Sequence, residues 1–264
     1  MSMQLSVTTD YVTSYGSPEL YLRRIAQAGF SHVHWCHHWD TDFLYSPPEI
    51  AQVAAWLREL GLHVLNIHAS AGREKRWDSL HEYERLAGVE LVRNRLEMAA
   101  RLGADVIILH SEASYPLHSQ LLSLRELEPF ARRLGVRIAL ENLSGPTFTR
   151  LDELFAEFSP GYLGLCYDTG HGNMLDASLD FLERYKNRLI ATHIHDNDGS
   201  SDQHKLPFTG SVDWSRFMRI ISQSAYDKLL NLEVTLKNHP DLNEETFLQN
   251  AYQAGERLEA MRLV

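Results

Sequence analysis

The chain has 264 residues, of which 44% are hydrophobic and 23% are charged, a composition typical of a globular protein with a sizeable core. It excludes a disordered chain, a collagen-like fibre and a disulfide-stapled miniprotein. With 25 lysines and arginines against 35 acidic residues, the formal net charge is −10, which argues against a general nucleic-acid-binding surface. The two cysteines, Cys36 and Cys166, form no CxxC motif, so neither a disulfide framework nor a thiolate zinc site is expected.

The beginning of the chain carries no sign of export. Its first residues, MSMQLSVTTD, lack the basic and apolar regions of a secretory signal, and no window approaches 18 apolar residues. We therefore predict a cytoplasmic protein that does not enter membranes.

Short β-branched runs alternate with longer amphipathic stretches throughout the sequence. The predicted strands are Leu5–Thr8, His32–Trp35, His63–Ile67, Asp105–Leu109, Arg137–Leu140, Leu163–Tyr167, Ile190–Ile194 and Leu229–Glu233. The predicted helices are Pro18–Ala28, Pro47–Leu60, Tyr83–Leu102, Ser119–Leu134, Asp152–Phe158, Ser178–Tyr185, Trp214–Ser222 and Glu244–Met261. Several of these helices end at a glycine, which readily adopts the left-handed conformation that terminates a helix.

Eight strand-then-helix units in this length predict an α/β fold, a single (β/α)8 TIM barrel that spans residues 1–264 as one domain. A nucleotide-binding Rossmann fold is disfavoured, because the segment after the first strand, TTDYVTSYGS, contains no GxGxxG. Active sites of TIM barrels lie at the carboxyl ends of the strands. The residues at strand ends are therefore the ones to inspect.

Acidic and imidazole side chains follow most of the predicted strands, and the chain has 14 histidines. The candidates at or just beyond strand ends are His68, His110, Glu141, Asp168, His171, His193, Asp202, His204 and Glu233. Any one of them could be a salt-bridge partner or a packed histidine. Together at one barrel mouth they need compensation, for which a divalent cation is the simplest source. Mixed carboxylate and imidazole ligation suits Mn²⁺, Zn²⁺, Mg²⁺, Co²⁺ or Fe²⁺ without choosing among them.

Two other segments bear on the ligand. The aromatic and acidic segment WCHHWDTDFLY, residues 35–45, is typical of a small-molecule pocket, in which Trp35 would stack on a sugar ring. The loop ASAGREKRWD, residues 69–78, is the one basic and aromatic patch. It could be a solvated loop, a contact for a sugar phosphate or polyol, or a contact for DNA. His34 and His195 could face the site or simply be packed.

The motifs DTGH (168–171), HIHDND (193–198), DQH (202–204), PFTGSVDW (207–214) and LEV (232–234) occur in this order. In these motifs the chain resembles the xylose-isomerase-like barrel superfamily of sugar isomerases, 3-epimerases, inosose dehydratases and endonuclease IV-type nucleases. The resemblance implies one divalent cation bound by Glu141, Asp168, His193 and Glu233. It also implies that Glu141 and Glu233 transfer a proton beside a carbonyl, through a metal-stabilised enediolate, while His171 bonds to a substrate hydroxyl.

Two features complicate that assignment. The 3-epimerases usually have a substrate-binding arginine about six residues after the strand-seven histidine, where this chain has Gly199; Lys205 or His204 could replace it. In addition, every position that binds three zinc ions in the endonuclease IV type is an Asp, Glu or His here. By that analogy His68, His110 and Glu141 form a second site, and His171, Asp202 and His204 form a third.

The sequence thus predicts a metal-dependent isomerase or epimerase of a sugar, sugar phosphate or polyol. The residues expected to bind this carbohydrate substrate are His68, His110, His171, Trp35 and Lys205. A metal-dependent phosphodiesterase, a dehydratase or lyase on the same site, and a non-catalytic sugar binder stay open as alternatives. Nucleic acid is a disfavoured partner, and a homo-oligomer is an open alternative.

Overall fold

Parallel strands and helices alternate along the chain. A computed structural model describes residues 3–145 and 147–262. The strands are β1 (Ser6–Thr8), β2 (His32–Trp35), β3 (His63–His68), β4 (Val106–His110), β5 (Arg137–Glu141), β6 (Leu163–Asp168), β7 (Leu189–His193) and β8 (Asn231–Leu232). The α-helices in the described residues are α1 (Glu19–Gln27), α2 (Pro47–Leu60), α3 (Glu82–Leu102), α4 (Leu117–Leu134), α5 (Phe148–Glu157), α6 (Thr169–Asn173), α7 (Ser178–Tyr185), α8 (Trp214–Ser222) and α9 (Glu244–Arg262).

The eight strands form one parallel sheet in the order β7-β6-β5-β4-β3-β2-β1-β8. Its two edges meet where Ile194 forms a parallel bridge to Leu232. The Ile194 amide donates to the Asn231 carbonyl at 2.9 Å, and the Glu233 amide donates to the Ile194 carbonyl at 3.0 Å. The sheet therefore closes on itself, which confirms the predicted α/β fold and the single TIM barrel.

The two-residue period of the strands separates the helix-facing side chains from those inside the barrel. Along β4 and β5, residues such as Ile107 and Leu140 belong to the main core under the helices. A small separate cluster fills the barrel interior and consists of Val106, Ile108, Ala139, Cys166, Ile190 and Ala191. Continuing the interior face of β4, β5 and β6 by two residues leads to His110, Glu141 and Asp168. The face that fills the barrel thus ends in polar side chains at the mouth.

Most predicted boundaries agree with the structure to within two residues. Gly61 and Gly103 follow α2 and α3 with φ values of 67° and 79°, as the helix-ending glycines require. Strand β8 is shorter than predicted, since only Asn231 and Leu232 are in the ladder. Helix α5 begins four residues earlier than predicted, and the five-residue helix α6, which begins in the DTGH motif and ends at Asn173, was not anticipated. In the described residues, no helix combines the length and apolarity that a bilayer crossing requires.

Candidate active site

Four strand ends bring three carboxylates and one imidazole together. One potential ligand atom from each of Glu141, Asp168, His193 and Glu233 lies within 4.8 Å of the others. The Nδ1 atom of His193 is 3.1 Å from Glu141 Oε2 and 3.1 Å from Glu233 Oε2. Glu141 is 1% exposed, Asp168 and His193 are fully buried, and the Glu233 side chain is 12% exposed. This central cluster joins the residues that the sequence assigned to the cation.

The donor set of the central cluster fits a divalent cation. Although His193 Nδ1 and Glu141 Oε2 lie 3.1 Å apart, neither atom, nor His193 Nε2, makes a hydrogen bond of suitable geometry among the described residues, whereas buried polar atoms nearly always make one. Burial opposes ionisation of Glu141 and Glu233, but His193 and neighbouring histidines outweigh it and lower the pKa of both carboxyls. Carboxylate oxygens and an imidazole nitrogen are the ligands that Mn²⁺ and Zn²⁺ accept.

A pair of histidines from β3 and β4 lies beside this cluster. His68 Nε2 is 3.1 Å from His110 Nε2, and His110 Nε2 is 3.3 Å from Glu141 Oε2. His68 Nδ1 is 2.8 Å from the carbonyl of Ala69. Burial, followed by the proximity of His110, lowers the pKa of His68 well below its usual value. His68, His110 and Glu141 have potential ligand atoms within 4.8 Å of one another.

The third predicted group lies on the opposite side, after β6 and β7. His171 Nε2 and His204 Nε2 are 3.3 and 3.1 Å from the same Asp202 oxygen. Burial disfavours the imidazolium of His204, but Asp202 and Glu233 outweigh it and raise the pKa to about 10. The Nδ1 atom of His171 is 3.0 Å from the Asn142 carbonyl, so both of its ring nitrogens contact protein groups.

We predicted that Trp35 lines the mouth, but the structure places it elsewhere. Its side chain is 1% exposed, and its indole donates to the Tyr45 hydroxyl at 3.1 Å, because this strand position faces the helices. Trp39, four residues later and past the strand end, has its ring centroid 4.7 Å from that of His68 and 5.4 Å from that of His110. Lys205 is half-buried, and its backbone pairs with Asp196 at 2.8 and 2.9 Å; its contact with substrate stays a prediction.

Three side chains lie around Glu233: His34, which the sequence left open as a site residue, and Cys36 and Asp10, which sequence reasoning missed as site residues. Cys36 Sγ lies 4.0 Å from Glu233 Oε1, and His34 Nε2 lies 3.8 Å from the same oxygen. Burial and the proximity of Glu233 raise the pKa of Asp10. Asp10 and Cys36 directly follow β1 and β2, so the strand-end rule could have found them if it had been applied to every strand.

Two of the three cations of the basic loop, Arg73 and Arg76, are paired with acids. Arg73 Nη2 is 3.6 Å from Asp40 Oδ2. Arg76 lies 3.2 Å from Asp78 and 2.8 Å from Glu112, and its guanidinium stacks on Tyr115 at 4.1 Å. The carboxylates neutralise most of the positive charge that the sequence shows in this loop.

These strand ends define the chain as a barrel with an acid–imidazole cluster at its mouth, and comparison with known proteins identifies its family. A model described as the xylose isomerase-like TIM barrel family matches residues 22–262. The chain belongs to this family.

One of the similar proteins is a sequence relative, and two others are solved structures. The uncharacterised protein y4fM of Sinorhizobium fredii is 32% identical over 271 residues, which cover 90% of this chain and 87% of that protein. An L-ribulose 3-epimerase structure has a TM-score of 0.79 at 17% identity and covers 100% and 96% of the two chains. The structure of IolI with a zinc atom has a TM-score of 0.76 at 16% identity, covering 97% and 98%. At these identities the two structures show a shared fold.

Proposed function

We propose that the protein is a divalent-cation-dependent isomerase or epimerase of a sugar, sugar phosphate or polyol. The observation that carries the proposal is the convergence of Glu141 and Glu233 with Asp168 and His193 at one barrel mouth. The fold that the chain shares with an L-ribulose 3-epimerase supports the same class of reaction.

Glu141, Asp168, His193 and Glu233 would hold the cation, which acts as a Lewis acid on the substrate's carbonyl and hydroxyl oxygens. Glu141 ends β5 and Glu233 directly follows β8. These strands are separated by β6 and β7 in the closed sheet, so the two carboxylates enter the site from different sides. One removes the proton beside the carbonyl, and the other returns a proton to the resulting enediolate. Because the pair is buried, little water competes for these protons.

Neighbouring side chains supply contacts for the rest of the sugar. His68 and His110 present imidazole nitrogens beside Glu141, and His171 Nδ1 is 3.2 Å from the other Glu141 oxygen. Trp39, which lies against both His68 and His110, offers an aromatic face for the apolar side of a sugar ring. We assign hydroxyl recognition to the histidines and ring stacking to Trp39.

Incubation with candidate ketoses in deuterated water tests the proton transfer. We expect the wild-type protein to place deuterium on the carbon beside the carbonyl, and Glu141→Gln or Glu233→Gln to slow this exchange by about 10²–10⁴-fold, because an amide cannot act as the base. Glu74→Gln, at an exposed glutamate of the loop 69–78, is the matched control. Product without deuterium, or exchange retained in both site variants, would rule out the mechanism.

One observation favours a second candidate, a metal-dependent phosphodiesterase. His68, His110 and Glu141 are close enough to hold another cation, and adjacent cations can stabilise the attacking and leaving oxygens of a phosphodiester displacement. The neutralised cations of the loop 69–78 weigh against a DNA substrate. Three tightly bound zinc ions per chain and cleavage of a model phosphodiester would favour this candidate, whereas one ion per chain favours the epimerase.

Loss of water or carbon–carbon cleavage in the ketose assay would instead identify a dehydratase or a lyase.

A further inference from the structure

The second histidine of the HIHDND motif contacts Asp168 of the central cluster. His195 is fully buried, and its Nε2 atom is 3.1 Å from each carboxylate oxygen of Asp168. Its Nδ1 atom has no hydrogen-bond partner among the described residues. The ring proton therefore belongs on Nε2, where it is donated to the Asp168 carboxylate.

Asp168 is held at several points. Its Oδ1 accepts the backbone N–H of His171 at 2.7 Å, and its own amide donates to Asn142 Oδ1 at 2.8 Å. The contact of His195 Nε2 with Oδ2 leaves both carboxylate oxygens with a bonded partner. A carboxylate bonded at both oxygens loses the freedom to rotate about its terminal torsion, so its remaining lone pairs keep one direction.

Three consecutive residues of the DTGH motif contact His195. Besides Asp168, the Thr169 hydroxyl donates to the His195 carbonyl at 2.7 Å and accepts the His195 amide at 3.0 Å. At Gly170, a Cβ atom would lie 1.9 Å from His195 Cε1 and 2.3 Å from His195 Nδ1, far inside contact distance. His204 stacks on the imidazole with ring centroids 4.0 Å apart and planes 9° apart. Backbone and ring thus fix the imidazole on several sides.

We propose that His195 is a positioning residue that orients Asp168 for cation binding, and that Gly170 is a glycine because His195 needs the space. This inference rests on the proposed cation site. It assigns a role to the DTGH motif beyond its aspartate and histidine: Thr169 fixes the backbone of His195, and Gly170 leaves the space that its imidazole occupies.

Titration of the purified, chelator-treated protein with Mn²⁺ alone tests the positioning role. We expect His195→Leu to weaken Mn²⁺ binding by about 10–100-fold, the usual cost of removing a group that orients a metal ligand. His195→Gln, whose amide nitrogen can approximate Nε2, is expected to restore most of the affinity. The control His37→Leu removes another buried imidazole, which is not among the potential ligand groups, and should bind Mn²⁺ like the wild type.

The outcomes separate this inference from the proposed function. If His195→Leu lowers thermal stability but binds Mn²⁺ as tightly as the wild type, His195 only packs and the inference fails. If the wild type binds Mn²⁺ and His195→Leu does not, while no ketose exchanges deuterium, the inference stands and the epimerase proposal fails. A wild-type protein without Mn²⁺ affinity would overturn both.

A second cycle tests Gly170. We expect Gly170→Ala to lower the melting temperature by several degrees in the wild-type background, because the new methyl group would meet the imidazole. In a His195→Ala background the same change should cost little, because the space is empty. Equal losses in the two backgrounds would show that Gly170 does not serve His195.

Discussion

Two neighbouring groups of histidines line the barrel mouth, and the ring centroid of His193 lies 4.6 Å from that of His34 and 5.8 Å from that of His68. On the side of β6 and β7, carboxylates outweigh the effect of burial and raise the pKa of His171 and His204. The pKa of His193 is also raised against burial, by Cys166 and then by Glu233 and Glu141. On the side of β2 and β3, burial dominates and lowers the pKa of His34 to about 4 and that of His68 well below its usual value. The same residue type is therefore charged or basic on one side and neutral on the other.

The difference separates two chemical tasks. A cluster of acids and basic imidazoles gains stability from a cation, which replaces the protons that hold the cluster together. Neutral imidazoles beside an aromatic ring suit hydrogen bonds to uncharged hydroxyl groups. We therefore expect the cation on the side of β5–β8 and the bulk of the sugar on the side of β2–β4.

The largest expected effect comes from replacing one histidine on each side by glutamine, in separate variants. His193→Gln should lower Mn²⁺ affinity by at least about 100-fold, because it removes a direct ligand rather than an outer contact. His110→Gln should keep the ion but weaken substrate binding by roughly 10-fold, the loss of about one hydrogen bond. Metal analysis and Michaelis constants measure the two effects.

His63→Gln is the control, since His63 is exposed at the start of β3 and should leave both quantities unchanged. Loss of a bound ion in His110→Gln would contradict the assignment of the cation to the side of β5–β8 alone. It would mean that the β3–β4 side also holds a cation, as the phosphodiesterase candidate requires.

The sequence could predict the barrel because each strand and helix is marked by local sequence patterns. β-branched runs, helical periodicity and terminal glycines such as Gly61 and Gly103 fix the elements, and the period of two along a strand then places Glu141 and Asp168 inside. The same rule could have excluded Trp35, whose neighbour His34 faces the interior. It could not place Trp39, because this residue lies in an irregular segment whose path depends on tertiary contacts.

Arg95 of α3 supplies one of those contacts. It is fully buried, donates to the Phe43 carbonyl at 3.1 Å, and stacks on Tyr45 at 4.6 Å. Asn94 holds the Tyr45 backbone at 2.8 and 2.9 Å. Burial lowers the pKa of Arg95 to about 10, so the guanidinium stays charged at neutral pH. These two residues tie the segment 38–45, and with it Trp39, to the barrel.

We expect Arg95→Met to lower the free energy of unfolding and to weaken substrate binding. The lost bonds leave the Phe43 carbonyl without its donor, which costs about 1–3 kcal/mol of unfolding free energy, and the freed segment should weaken substrate binding without changing metal content. Arg101→Met, at an exposed position near the end of the same helix, should change stability by less than about 0.5 kcal/mol. A loss of Mn²⁺ in Arg95→Met would show that the two sides of the mouth are not independent.

A pH-dependent effect is expected at His37, which lies on the neutral side and has no hydrogen-bond partner at either ring nitrogen among the described residues. Burial lowers the pKa of His37 to about 4, compared with about 6.5 in an unfolded chain. Between these values the unfolded chain binds the proton and the folded protein does not. Stability attributable to His37 is therefore present above pH 6.5 and is lost as pH falls towards 4.

His37→Phe keeps an aromatic ring beside Trp35 and Tyr21, whose centroids lie 5.8 and 6.5 Å away, and removes the proton-binding group. In urea denaturation of the metal-free protein between pH 4.5 and 7.5, this variant should lose less stability on acidification than the wild type, by roughly 2–3 kcal/mol over the whole window. His34 and His68 should still titrate, so the dependence shrinks without vanishing. The exposed His118 provides the control His118→Phe, which should follow the wild type. An unchanged slope in His37→Phe would mean that the folded protein protonates His37 readily, and the neutral side of the mouth would then be smaller than the structure indicates.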